Sequence, residues 1–81
     1  RVIRSVAHLP AAVYRLYDDQ GHLLYVGVTH DLEERYGAHR RNQLWWLDVV
    51  RSEHVWMPSR AEADAEEALA IEREKPLRDK S

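Results

Sequence analysis

Five side chains spread along this sequence could together handle a phosphate ester: Tyr14, Tyr25, Arg35, His39 and Glu67. A phenol can hydrogen-bond a nucleophilic water or take its proton. With an ordinary pKa of about 10, it needs a nearby cation to act as a base. Arginine offers a planar fork of donors that matches a phosphate, and histidine adds a further bond or shuttles a proton. A carboxylate such as Glu67 can hold one hard divalent cation. Each of these residues also has a plain structural use. Tyrosines on neighbouring strands pair as packing, Arg35 and His39 at i and i+4 suit a solvated helix face, and acidic helix faces are usually solvation.

The elements that must position them can be read from pattern. Asp18-Asp19-Gln20-Gly21 is a hairpin turn, because Asp bonds its own backbone and Gly accepts a positive φ. It joins strands at Ala11–Asp18 and Leu23–Val28. If the hairpin closes on Asp19-Gln20, Tyr14 and Tyr25 lie directly opposite; a three-residue loop with a bulge at Gly21 slips that pairing by one. The apolar residues of both strands fall on both faces, which calls for helices on each side of the sheet. Asp31 caps a helix over 32–41, with Glu34 completing the capping box. On that helix Leu32, Arg35, Tyr36 and His39 share one face. Leu44–Arg51 reads as a short buried helix and Glu53–Met57 as a third strand. Ser59 and Glu62 open a last helix that ends near Lys75, before Pro76, with Ala61, Ala65, Ala68, Leu69 and Ile71 as its inner face. The expected fold is α+β, a three-stranded antiparallel sheet flanked by helices on both faces, in the order β-β-α-α-β-α.

Composition narrows the function classes. The 81 residues make one small domain, residues 1–81, with 1–10 as an N-terminal extension. There is no Cys, which removes disulfides and thiolate chemistry and fits a cytoplasmic location. His8, His22, His30 and His54 lack metal-ligand spacing, which argues against zinc. No apolar run is long enough to span a bilayer, so no membrane partner is expected. The net charge of −2 argues against a general nucleic-acid binder, yet Arg35, His39, Arg40 and Arg41 form a basic cluster while the last third is acidic. Trp45, Trp46 and Trp56 are expected in the core, with base stacking as their second use. The chain opens on Arg1 rather than Met, and further domains outside it are expected.

In order, these residues resemble the GIY-YIG nuclease family. Ala12-Val13-Tyr14 stands at the first signature tripeptide and Tyr25-Val26-Gly27 at the second. Arg35 and His39 follow Tyr25 by ten and fourteen residues, and Glu67 precedes Asp79 by twelve, the family's spacings. The resemblance covers residues 11–79. It implies a metal-dependent endonuclease that hydrolyses DNA phosphodiesters with one divalent cation, Mg²⁺ or Mn²⁺. Tyr14 or Tyr25 would then act on the attacking water and Arg35 on the scissile phosphate. Glu67 would be the metal ligand, and His39 would contact the phosphate or assist proton transfer. Gly27, Arg40, Arg41 and Asp79 are the expected phosphate and DNA contacts, and DNA is the expected partner, with substrate choice left to an additional DNA-binding domain or subunit. Three positions depart from the pattern: Ala12 replaces Gly, Val28 stands where some branches carry Lys, and Asp79 replaces Asn. The alternative is an inactive module of the same fold that binds nucleic acid or a protein partner through the Arg35–Arg41 helix.

Overall fold

The computed structural model describes residues 9–78. The first eight positions and Asp79 lie outside the described residues. The turn forms as its residues dictate: Asp18 Oδ1 accepts from the backbone N–H groups of Gln20 and His22, and Gly21 takes φ +82°. On either side run β1 (Ala11–Tyr17) and β2 (Leu23–Thr29), antiparallel. β3 (Arg51–Met57) pairs with the other edge of β1, so the order is β2-β1-β3 and β1 is central.

The register differs from both hairpin closures considered above. Tyr14 faces Gly27, and Tyr25 faces Leu16. A shift between Leu16 and Tyr17 absorbs an extra residue of β2, and the turn extends to the Asp18 N–H to His22 C=O bond. The two tyrosines are therefore diagonal neighbours on one face rather than a direct pair.

Alternation along β1 then sorts the molecule into two sides. Ala11, Val13 and Arg15 face α2 (Arg60–Glu74), where Val13, Val26, Ala63 and Ala70 form the core with Val28, Met57 and Ile71 around it. Ala12, Tyr14 and Leu16 face the opposite side, covered by α1 (Leu32–Asn42) and the segment after it. Helices thus stand on both faces, as the two-sided apolar pattern requires.

Three expectations change. Leu44–Asp48 is one short 3₁₀ segment with no buried residue, and Leu44 is 88% exposed. Trp56 is 49% exposed because it stands beside Ala12 on the α1 side of β3, an edge strand whose α1 side is left uncovered. Of the expected inner face of α2 only Ile71 packs on the core; Ala61, Ala65, Ala68 and Leu69 are exposed, and Ala63 and Ala70 are buried instead, with Glu66 and Glu67 half-buried beside them. An alanine-rich helix defines its own stripe weakly, and here Arg15 fixes it. Its guanidinium makes two bonds of 2.9 Å to Glu74, one turn beyond Ala70.

Both helix starts form as expected: Asp31 accepts from the Glu34 N–H and Ser59 from the Glu62 N–H. α2 ends at Lys75 in the left-handed region, and Leu77 and Arg78 then donate to the carbonyls of Leu23 and Leu24 on the outer edge of β2. Replacing the α2 cap, Ser59→Ala, is expected to cost about 1 kcal/mol, read as a lower urea midpoint at unchanged slope.

Candidate functional site

On the α1 side of the sheet, four of the five chemistry-bearing residues meet. Tyr14 is fully buried at the centre of β1. Its ring occupies the space above Gly27: a Cβ there would lie 2.4 Å from the phenol carbon and oxygen. Gly27 is buried under that ring, so its part in the site is to leave room for a phenol. Tyr25, two residues earlier on β2, is half-buried and stacks on Tyr14 with centroids 5.9 Å apart at 25°.

α1 brings the next two. Asp31 fixes its first turn, which sets Arg35 one turn in and His39 one turn later on the sheet-facing side. Arg35 spans both phenols, Nε donating to Tyr14 Oη at 3.2 Å and Nη2 to Tyr25 Oη at 3.4 Å. His39 is 4% exposed, with Nε2 2.7 Å from Tyr14 Oη. Arginine can only donate, so it fills a lone pair of Tyr14; with His39 held neutral by burial, we assign the phenol proton to the hydrogen bond with His39 Nε2. The network therefore runs Arg35 to Tyr14 to His39, and it assigns the Nδ1–H tautomer to His39.

Charge states follow from burial. Burial pushes the Tyr14 phenol well above its ordinary value, and the Arg35 hydrogen bond opposes this only in part. The bond to Tyr14 in turn holds Arg35 firmly protonated. Burial, and then the Arg35 charge, lower His39 to about 4. Near neutrality the site thus holds a neutral buried phenol, a neutral imidazole and one permanent cation at a half-exposed rim.

Aromatic rings close the site. Trp45 stacks on Tyr25 at 5.2 Å and 21°, and Trp46 lies parallel to His39 at 6.3 Å and 11°. Both come from the 3₁₀ segment and are half-exposed covers rather than core. Tyr36 packs edge-on against Tyr14 at 5.4 Å. The sequence reading placed Tyr36 on the same helix face as Arg35 and His39 but gave it no part. Its spacing of three residues before His39 was the available signal.

The remaining candidates lie elsewhere. Arg40 and Arg41 are exposed at the end of α1, with no ion pair among the described residues. Glu67 sits between Ala63 and Ala70 on the inner side of α2, across the sheet from Tyr14. Among the described residues no group of three or more His, Asp or Glu could hold a metal together. Two of the three departures are accommodated. Ala12 is regular strand, since Lys75 is the one non-glycine with positive φ among the described residues. Val28 packs on the α2 core opposite Val13, on the other face from Tyr14 and Tyr25.

A family model described as the GIY-YIG catalytic domain matches residues 10–81. Three forms of UvrABC system protein C, from Actinobacillus pleuropneumoniae serotypes 5b (strain L20), 3 (strain JL03) and 7 (strain AP76), are each 43% identical over 42 residues. The matched stretch is 52% of this chain and 7% of each relative, so the chain spans a small part of their length.

The buried imidazole carries a stability signature. His39 takes up a proton only near pH 4 when folded, against about 6.5 when the chain is unfolded. Between those values the unfolded chain binds more protons, so stability is full above about pH 6.5, falls as the pH drops toward 4 and levels off below. The shift corresponds to about 3 kcal/mol. Urea unfolding at a series of pH values is expected to show this slope, and His39→Gln is expected to remove most of it.

Proposed function

The chain belongs to the GIY-YIG catalytic domain family, and from that premise we propose that it is the catalytic domain of a DNA endonuclease that hydrolyses phosphodiester bonds with one divalent cation. The observation that carries this reading is the Arg35 guanidinium bridging both phenols at a half-exposed rim. A cation so held is preorganised: it binds a phosphate and stabilises the charge that develops on it without being rearranged.

The two tyrosines divide the work by exposure. Tyr14 is enclosed and keeps its proton, so it positions Arg35 and does not serve as the base. Tyr25 reaches the rim beside the same guanidinium and is the phenol that hydrogen-bonds the attacking water. His39 is sealed under Trp45 and Trp46, and its role is to accept the Tyr14 proton and lock that ring rather than to touch the phosphate.

Glu67 is the residue that would hold the cation. A single half-buried carboxylate suits Mg²⁺ or Mn²⁺, which keep several waters and take their remaining ligands from substrate. When bound, the ion supplies Lewis-acid stabilisation of the leaving oxygen. β2 is an edge strand whose Leu23–Leu24 end is bordered by Leu77 and Arg78, and we take the rest of its outer margin as the strip where groups from both faces of the sheet meet. That strip is the place we assign to the scissile phosphate, with Arg35 approaching from the α1 face and Glu67 from the α2 face. Arg40 and Arg41 add unspecific backbone attraction. With a net charge of −2 this attraction is weak, and substrate choice rests with domains or subunits beyond this one.

The test is nicking of supercoiled plasmid by the chain with Mg²⁺ or Mn²⁺. Arg35→Ala is expected to lose about 100-fold or more in rate, as does removal of a preorganised charge donor elsewhere, and Glu67→Ala or EDTA to abolish turnover. Tyr25→Phe is expected to lower the rate far more than it lowers DNA affinity. Nicking that is equal in wild type and Arg35→Ala, across both metals, would sink the reading and leave a binding module of the same fold.

A further inference from the structure

One feature beside the site is not used by hydrolysis. A cleft of about 210 Å³ opens next to it, walled by the rings of Tyr36 and Trp46 and bounded by Val49, Val50, Arg51 and Ser52. The two rings stand 5.7 Å apart at 45°. Tyr36 Oη is buried against the Ser52 side chain, which lines the same space. The volume is smaller than a pocket for a drug-sized ligand and suits one small flat ring.

Charge around the cleft points to the same occupant. Arg40 stands one turn along α1 from Tyr36, exposed and without an ion pair among the described residues. Arg51 is already held by Glu53 and over the Tyr17 ring, so it bounds the cleft without offering a free charge. The cleft is also one ring from the phenol that supports Arg35, since Tyr36 touches Tyr14 and Trp46 covers His39.

We propose that the Tyr36–Trp46 cleft receives one unstacked nucleobase of the bound nucleic acid, with Arg40 on the adjoining phosphate. The inference rests on the nuclease reading and adds to it a preference for substrates with an unpaired or extruded base beside the cleavage site. Stacking between aromatic side chains is how unpaired bases are held without strict sequence readout, and extruding a base is easiest where it is mismatched or already single-stranded.

The experiment is binding in EDTA of a short labelled single strand and of the same strand with its bases replaced by abasic sites, equal in phosphate charge. Wild type is expected to bind the intact strand about 10-fold more tightly, with quenching of tryptophan fluorescence. Trp46→Leu is expected to erase most of that difference. Tyr36→Phe keeps the ring against Tyr14, and is expected to retain the preference for the intact strand. Equal affinity of wild type for the two strands overturns the proposal, as does an unchanged preference in Trp46→Leu. If wild type nicks plasmid while ignoring the bases, the cleft proposal alone falls. If it neither binds nor nicks, the nuclease reading falls with it.

Discussion

Tyr14 has its hydroxyl in the middle of the protein, where an unpaired polar group costs roughly 1–3 kcal/mol. The structure meets this by giving it one donor, Arg35, and one acceptor, His39. Those partners lie four residues apart on α1, so a single helix must sit with one side against β1 and at one height along it. Gly27 is the matching requirement on β2, because a side chain there would occupy the space of the phenol. The same constraint presents Arg35 to solvent with its fork held between two oxygens. What stabilises the α1 face is therefore also what fixes the guanidinium to which we assign the phosphate.

The other face follows a separate logic. Small and β-branched residues let α2 lie close to β1 and β2, and the Arg15–Glu74 pair fixes its rotation. Arg15 is partly buried and makes both bonds, a geometry in which a charged pair is stronger than the usual surface contact. That rotation turns Glu67 inward. The carboxylate assigned to the cation thus owes its placement to an ion pair about two turns away.

Much of this was legible in the sequence, because the signals involved are local. The turn needs Asp18 and Gly21, the helices need Asp31 and Ser59, and each acts as its chemistry demands. Tyr14, Tyr25, Arg35 and His39 were also identifiable, since fixed spacings on a strand and a helix bring them together. Other features depended on contacts far apart in the chain. The extra residue of β2 absorbed beside Tyr17 moved the tyrosines to a diagonal, and nothing in either strand alone marks it. The α2 face was misread because five alanines on that helix carry little preference, while the decisive partner, Arg15, lies 59 positions away. Trp56 was expected inside because it is large and apolar. It is exposed because it lies on the α1 side of an edge strand, a side left uncovered, and edge position is a property of topology.

The direction of the Tyr14–His39 hydrogen bond is the point on which this account turns. Nitrogen-15 NMR of the imidazole of His39 across a pH titration reads it directly. The structure predicts a neutral Nδ1–H tautomer, with Nε2 unprotonated and hydrogen-bonded, that persists until the pH approaches about 4. An Nε2–H tautomer at neutral pH, or titration near the ordinary value of about 6.5, would contradict it and release Tyr14 from its role as the fixed support of Arg35.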